Sequence, residues 1–201
     1  MIRARRLLRR LAHERRGATV VEFAIISLPL VIVLFVLVDF GFRIYLQSIV
    51  DGTLVRAARK ATVGTMTGTQ IDAYVTSQLS NFSTNVRPDH IAITKRSYYQ
   101  FSGIGKGEKI TSDTAPLGVY NVGDCYEDAN NNGVYDGPGS SGTSGIGGSD
   151  DIVYYTVTVT FPSIVPLYGL MGWSSTETIN STTILRNQPY ASQTPPTVRC
   201  N

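Results

Sequence analysis

The chain has 201 residues, of which 42% are hydrophobic and 16% charged, with two cysteines and a formal net charge of +3. That length accommodates one modest domain with an appendage and excludes a large multidomain enzyme. Seven arginines against Glu14 give residues 1–17 a net charge of +6, so the remainder is net −3 and the basic balance belongs to a leader.

Arginine-rich but without interleaved aromatics, the leader runs straight into an apolar stretch. It reads as topogenic charge holding that end in the cytoplasm, not as a nucleic-acid arm. From Ala18 to Val38 there are 21 residues with one charge, Glu22. At 1.5 Å per residue, about 20 helical residues cross a bilayer core of about 30 Å. A secretory signal would have a shorter apolar core and a small-residue cleavage site after it. Here Asp39 and Phe40 follow and a helical pattern continues, which predicts that the span stays in the mature protein.

The step from leader to span, Arg15-Arg16-Gly17-Ala18-Thr19-Val20-Val21-Glu22-Phe23, ends the basic run on a glycine and sets a carboxylate five residues into the apolar run. A charge there is costly. One reading is a tolerated interfacial glutamate. The sharper one is a type IV prepilin signal, cut between Gly17 and Ala18, leaving Glu22 to pair with the new amine of a neighbouring subunit.

The run from Arg16 through Leu30, then Asp39-Phe-Gly-Phe-Arg43, then Val55-Arg-Ala-Ala-Arg-Lys60, resembles the TadE-like family of minor pilins of the tight-adherence (Tad, or Flp) pilus. Cys125 to Asp136 and Asp150 to Pro162 also resemble periplasmic domains of that family. The resemblance implies a minor pilin or pseudopilin assisting assembly or initiation of a Tad-type (type IVc) pilus used in surface adherence. It implies as partners a prepilin peptidase, other Tad pilins, the inner-membrane assembly platform and membrane lipid, with no nucleic acid. The expected location is the bacterial inner membrane, single-pass, N-terminus cytoplasmic and C-terminus periplasmic, or the cell-surface pilus. The competing reading is an inner-membrane-anchored periplasmic binding module, calcium-dependent in one form, that never enters a filament.

The expected organisation is a cleaved leader over 1–17, a transmembrane helix over 18–38, its periplasmic continuation over 39–63, and a periplasmic α+β domain over 64–201 with a glycine-rich loop at 137–149. Phe42, Leu46, Ile49, Val50, Leu54, Ala57, Ala58 and Ala61 recur at helical spacing, so one helix of about 40 residues is predicted, with Pro29 as a kink point. The cluster Thr62 to Thr69 ends it, and a second helix runs from Gln70 to about Phe82. Strands are predicted over His90 to Phe101, Asp151 to Phe161 and Glu177 to Leu185. The second alternates Val153, Tyr155, Val157, Val159 and Phe161 against Thr156, Thr158 and Thr160. Ser163 to Met171 is an apolar connector, read as a helical turn or a membrane contact. The architecture expected is pilin-like, a long N-terminal helix packed on a small antiparallel sheet.

Asp128-x-Asn130-x-Asn132-Gly133-x-x-Asp136 fits the first nine positions of an EF-hand-type loop, so Asp128, Asn130, Asn132 and Asp136 with the Val134 carbonyl are candidate Ca2+ ligands. Gly139 stands where the bidentate acid belongs, and an ordinary solvated turn has the same composition. Cys125 and Cys200 lie past the span, where an oxidising compartment permits a disulfide; two unrelated thiols is the other reading. No enzyme is expected. His90 is the one histidine beyond the leader, and Gly103-Ile-Gly-Lys-Gly107 and the 137–149 stretch lack the spacing of a phosphate-binding loop, reading instead as flexible loops.

Overall fold

The apolar stretch and the amphipathic pattern beyond it form one helix, α1, Ala18–Thr62, of 45 residues with Pro29 inside. The computed structural model describes residues 17–63, 66–82, 86–165, 168–188 and 191–200. The leader expected to be removed, up to residue 16, lies outside the described residues. After α1 come α2 (Gly68–Phe82), β1 (Ile91–Tyr98), β2 (Ile110–Ser112), β3 (Cys125–Asp128), β4 (Thr143–Ser144), β5 (Ile152–Pro162), a short α3 (Tyr168–Met171), β6 (Thr176–Arg186) and β7 (Thr197–Cys200). The class is α+β, as the sequence predicts. The residues fall into two compact units, the chain up to Ile44 with Ser163–Ser175, and Tyr45–Pro162 with Thr176–Asn201.

The second unit holds the core. In α1, Leu46, Val50, Leu54, Ala57, Ala58 and Ala61 are buried, most of the stripe that the 3.6-residue period predicts, while Phe42 and Ile49 of that stripe are half-buried. In α2 the stripe is Ile71, Val75 and Leu79. The two helices touch at Tyr45, edge-on to Phe82 at 5.4 Å, and at Lys60, over the Tyr74 ring at 3.9 Å. The start of α2 lies two residues before the predicted Gln70 because Thr67 caps it. The Thr67 amide donates to Gln70 Oε1 and the Gln70 amide to Thr67 Oγ1, a reciprocal capping box.

The main sheet is antiparallel, in the order β4-β1-β5-β6. Its centre is β5, whose Val153, Tyr155, Val157, Val159 and Phe161 are buried while the threonines between them are half-exposed, the alternation read from the sequence. Register places Ile93 and Ser181 beside Val157, and Ile91 and Ile179 beside Val159, on that same face. Helix α1 is fastened to β6, where Gln47 Nε2 donates to the Asn180 carbonyl and Ser181 Oγ to Asp51. Helix α2 is fastened to β1 by Lys95 Nζ, which donates to Asp72 and to the Gly68 carbonyl.

Strand β1 ends at Tyr98, short of the predicted Phe101, because Phe101–Gly103 turns into a 3-10 helix. The glycine-rich stretch 137–149, expected to be a flexible loop, is tied down. Its β4 pairs with β1, and Asn187 Nδ2 donates to the Ile146 and Gly148 carbonyls. Gly142 packs on the Tyr98 ring so closely that a Cβ would stand 2.7 Å from it. A second sheet, β2-β3-β7, has no counterpart among the predicted strands.

Candidate functional site

Gly17 stands directly before α1 and Ala18 opens it. A side chain added at Gly17 would meet nothing within 4 Å, so the glycine is not required by the packing of the described chain. Glu22, little more than one turn into the helix, is exposed, and among the described residues its carboxylate has no partner. It sits on an apolar surface: Phe23, Ile25, Ile26 and Leu28 are between 67% and 72% exposed. Such a run cannot be left in water at that exposure, and by length and composition α1 is able to cross a membrane. Pro29 is accommodated within the helix. At the far end of the charge-free run Asp39 accepts hydrogen bonds from Ser163 Oγ at 3.1 Å and the Ile164 amide at 3.2 Å.

The residues singled out as calcium ligands share one loop, Asp128 to Asp136, but the side-chain oxygens among them are turned to donors of the chain itself. Asp128, 1% exposed, accepts the Asn132 and Gly133 amides and Arg199 Nε. Asp136 accepts the side-chain amides of Asn130 and Asn132. Asn132 Oδ1 accepts the Val134 amide. Gly133 takes φ +80°, a left-handed turn that glycine allows at no steric cost. From the other side Glu108 accepts the Ala129 and Asp136 amides on its two carboxylate oxygens.

These carboxylates titrate in opposite directions. Burial pushes the Asp128 carboxyl up, but the Gly133 amide, Arg199 and the Asn132 amide outweigh it and hold it below the ordinary 3.8. Asp124 is likewise lowered, chiefly by the Thr114 hydroxyl and amide. Glu108 is raised above 4.5, first by burial, with Asp128 and Asp136 adding like charge. The signs follow from linkage. The stability that Asp124 and Asp128 contribute is complete above 3.8 and lost as pH falls through their depressed values. The contribution of Glu108 is complete below 4.5 and lost as pH rises through its raised value. Acidification from neutral should therefore first hold or raise the melting temperature and then lower it steeply below about pH 4. Asp128→Asn, which removes a charged partner of Arg199, should cost about 2 kcal/mol at neutral pH and flatten the acid limb. The same melts with millimolar calcium against chelator decide the calcium expectation. A rise that Asp128→Asn abolishes supports it, and identical curves leave an ordinary hydrogen-bonded turn.

Cys125 and Cys200 are bonded and lie opposite each other in the β3–β7 register. The bond fixes the C-terminal strand to the strand that leads into the Asp128 loop, so the disulfide predicted from the sequence and the loop form one structure. Tyr120 stacks on Tyr135 at 4.1 Å, and Tyr126, wholly buried, meets both edge-on. Neither this tyrosine cluster nor Arg199 stands out in the sequence. The one usable signal for the pairing of Arg199 with the loop is its place beside Cys200.

With this arrangement in hand, the comparisons fall on the helix. Residues 17–59 match the family model described as TadE-like protein. The N-terminal segment is TadE-like. The match begins at the glycine before α1 and ends three residues before the helix does, so it covers Gly17, Glu22, the span and the buried stripe up to Ala58. Comparison with curated proteins and with solved structures gives no match. The match is to this segment, within which α1 is by length and composition able to cross a membrane.

Proposed function

We propose that the protein is a minor pilin or pseudopilin that assists assembly or initiation of a Tad-type (type IVc) pilus, a structural subunit and not an enzyme. The observation that carries this reading is the place of Glu22 in the TadE-like segment. That segment, residues 17–59, lies almost wholly in α1, and the lone carboxylate of the apolar run stands at the fifth residue of the would-be mature chain. In this reading a prepilin peptidase removes residues 1–17, the N-terminal side is cytoplasmic, and the domain beyond α1 is periplasmic. Other Tad pilins and the inner-membrane platform then receive the mature chain.

Glu22 is the assembly residue in this scheme. The amine released at Ala18 and the Glu22 carboxylate pair between neighbouring helices in a low-dielectric setting, where either charge left alone costs several kcal/mol. Glu22→Ala should leave processing and membrane insertion intact and reduce the amount of mature chain recovered with sheared pili or with the platform by tenfold or more, equivalent to about 1.4 kcal/mol. Incorporation at the wild-type level would return Glu22 to an ordinary interfacial residue. A wild-type chain that stays alone in the membrane, with piliation unchanged on its deletion, would overturn the pilin reading in favour of an anchored periplasmic binding module.

A further inference from the structure

Between the two longest strands of the main sheet, the chain makes an excursion that the assembly scheme does not use. Ser163 to Ser175 contains no charged residue and belongs to the same compact unit as the apolar part of α1. Its neck is closed by the Ser163 amide donating to the Ser175 carbonyl at 3.1 Å, and its turn by the Trp173 amide donating to the Tyr168 carbonyl at 3.0 Å across α3. Ile164 is 42% and Trp173 55% exposed, and Tyr168 is half-buried. The excursion is fastened by Asp39, whose Oδ1 accepts both Ser163 Oγ and the Ile164 amide.

Asp39 directly follows Val38, the last residue of the charge-free run. An ionised carboxylate at the edge of the hydrocarbon is costly unless donors satisfy it, and this one takes its two from the excursion. The attachment sets Ser163 and Ile164 level with the end of the span. An uncharged peptide displaying tryptophan and tyrosine at that level has the composition of an interfacial belt, where amphipathic rings place their apolar bodies toward the chains and their polar atoms toward the headgroups. With no charge of its own, the segment offers nothing to steer it to a charged protein surface.

We propose that Ser163–Ser175 is a membrane-interface foot, clipped by Asp39 beside the end of the span and resting with Ile164, Tyr168 and Trp173 in the headgroup region of the leaflet there. The occupant of this surface is phospholipid. The foot would fix the depth of α1 and prevent the first turn beyond the span from sliding into the bilayer. The proposal rests on α1 crossing the membrane but not on the chain entering a filament.

Trp173 is the only tryptophan in the chain, so its fluorescence reads the foot alone. The full chain is reconstituted in vesicles of phosphatidylethanolamine and phosphatidylglycerol, some carrying bromine on the acyl chains near the glycerol end and others near the methyl end. Flotation of the vesicles reports insertion separately. The expected result is a chain that floats, Trp173 emission quenched more by bromine near the glycerol end than near the methyl end, and iodide quenching several-fold weaker than for free tryptophan amide. Asp39→Ala, which removes both acceptor contacts, should weaken bromine quenching and strengthen iodide quenching, while Asp39→Asn, which keeps an acceptor oxygen, should restore most of the wild-type pattern. A floating chain whose tryptophan is open to iodide and untouched by bromine overturns the foot. So does a tryptophan shielded from iodide yet untouched by bromine, which would place a protein surface there. Quenching unchanged in Asp39→Ala removes the clip, and a chain that does not float overturns the span itself.

Discussion

Gly17→Val is expected to leave residues 1–17 attached, the chain inserted in the membrane but uncut. A peptidase that cleaves after this residue has to close around its backbone, and glycine alone offers no Cβ to that approach. The described chain has no such need, since a side chain at position 17 would have open space within 4 Å. Loss of processing in the variant therefore reports on recognition and not on damage to the fold. The retained fraction should be large, with cleavage slowed at least tenfold, about 1.4 kcal/mol in the barrier. Gly17→Ala, a single methyl, should be cut at an intermediate rate. N-terminal sequencing of the membrane fraction is the direct measurement. A wild-type chain that begins anywhere but Ala18, or a valine variant cut at the normal rate, removes the peptidase from the account.

The helix, the central strand and the disulfide were legible in the sequence for physical reasons that differ. A buried stripe on a long helix and alternation on a half-buried strand are periodic, and periodicity survives without knowledge of the partner: Leu46 to Ala61 on α1 and Val153 to Phe161 on β5 are buried as their spacing implies. The disulfide followed from counting cysteines beyond a membrane span. The second sheet was not legible because β2, β3 and β7 hold three or four residues each, too few to show a period of two. The Asp39 clip was not legible either, since its donors lie 124 and 125 residues away in sequence. The same holds for the partner of Asp128. Its spacing with Asn130, Asn132 and Asp136 looks like a ligand array, while Arg199, 71 residues further on, supplies the positive charge from the C-terminal strand.

The largest stability effect should come from that strand. Strand β7 has four residues, pairs with β3 alone, and brings Arg199 to Asp128. A strand so short gains little from its own ladder, so the covalent tie at its last residue keeps it in register. Closing a loop with a sequence separation of 75 restricts the unfolded chain by at most about 4.5 kcal/mol on the loop-entropy account. The double variant Cys125→Ser with Cys200→Ser, which avoids a lone thiol, is expected to lose about 2–4 kcal/mol and about 10 °C in melting temperature for a domain of this size. Because release of β7 also withdraws Arg199 from Asp128, the loss should not add to that of Asp128→Asn. The triple variant should fall short of the sum by about 1 kcal/mol or more, the signature of residues that share one network. Additive losses would mean that Arg199 reaches Asp128 without the tether. A free-thiol titration of the wild-type chain purified without reductant should find none, and two reactive thiols would detach the C-terminal strand from this account altogether.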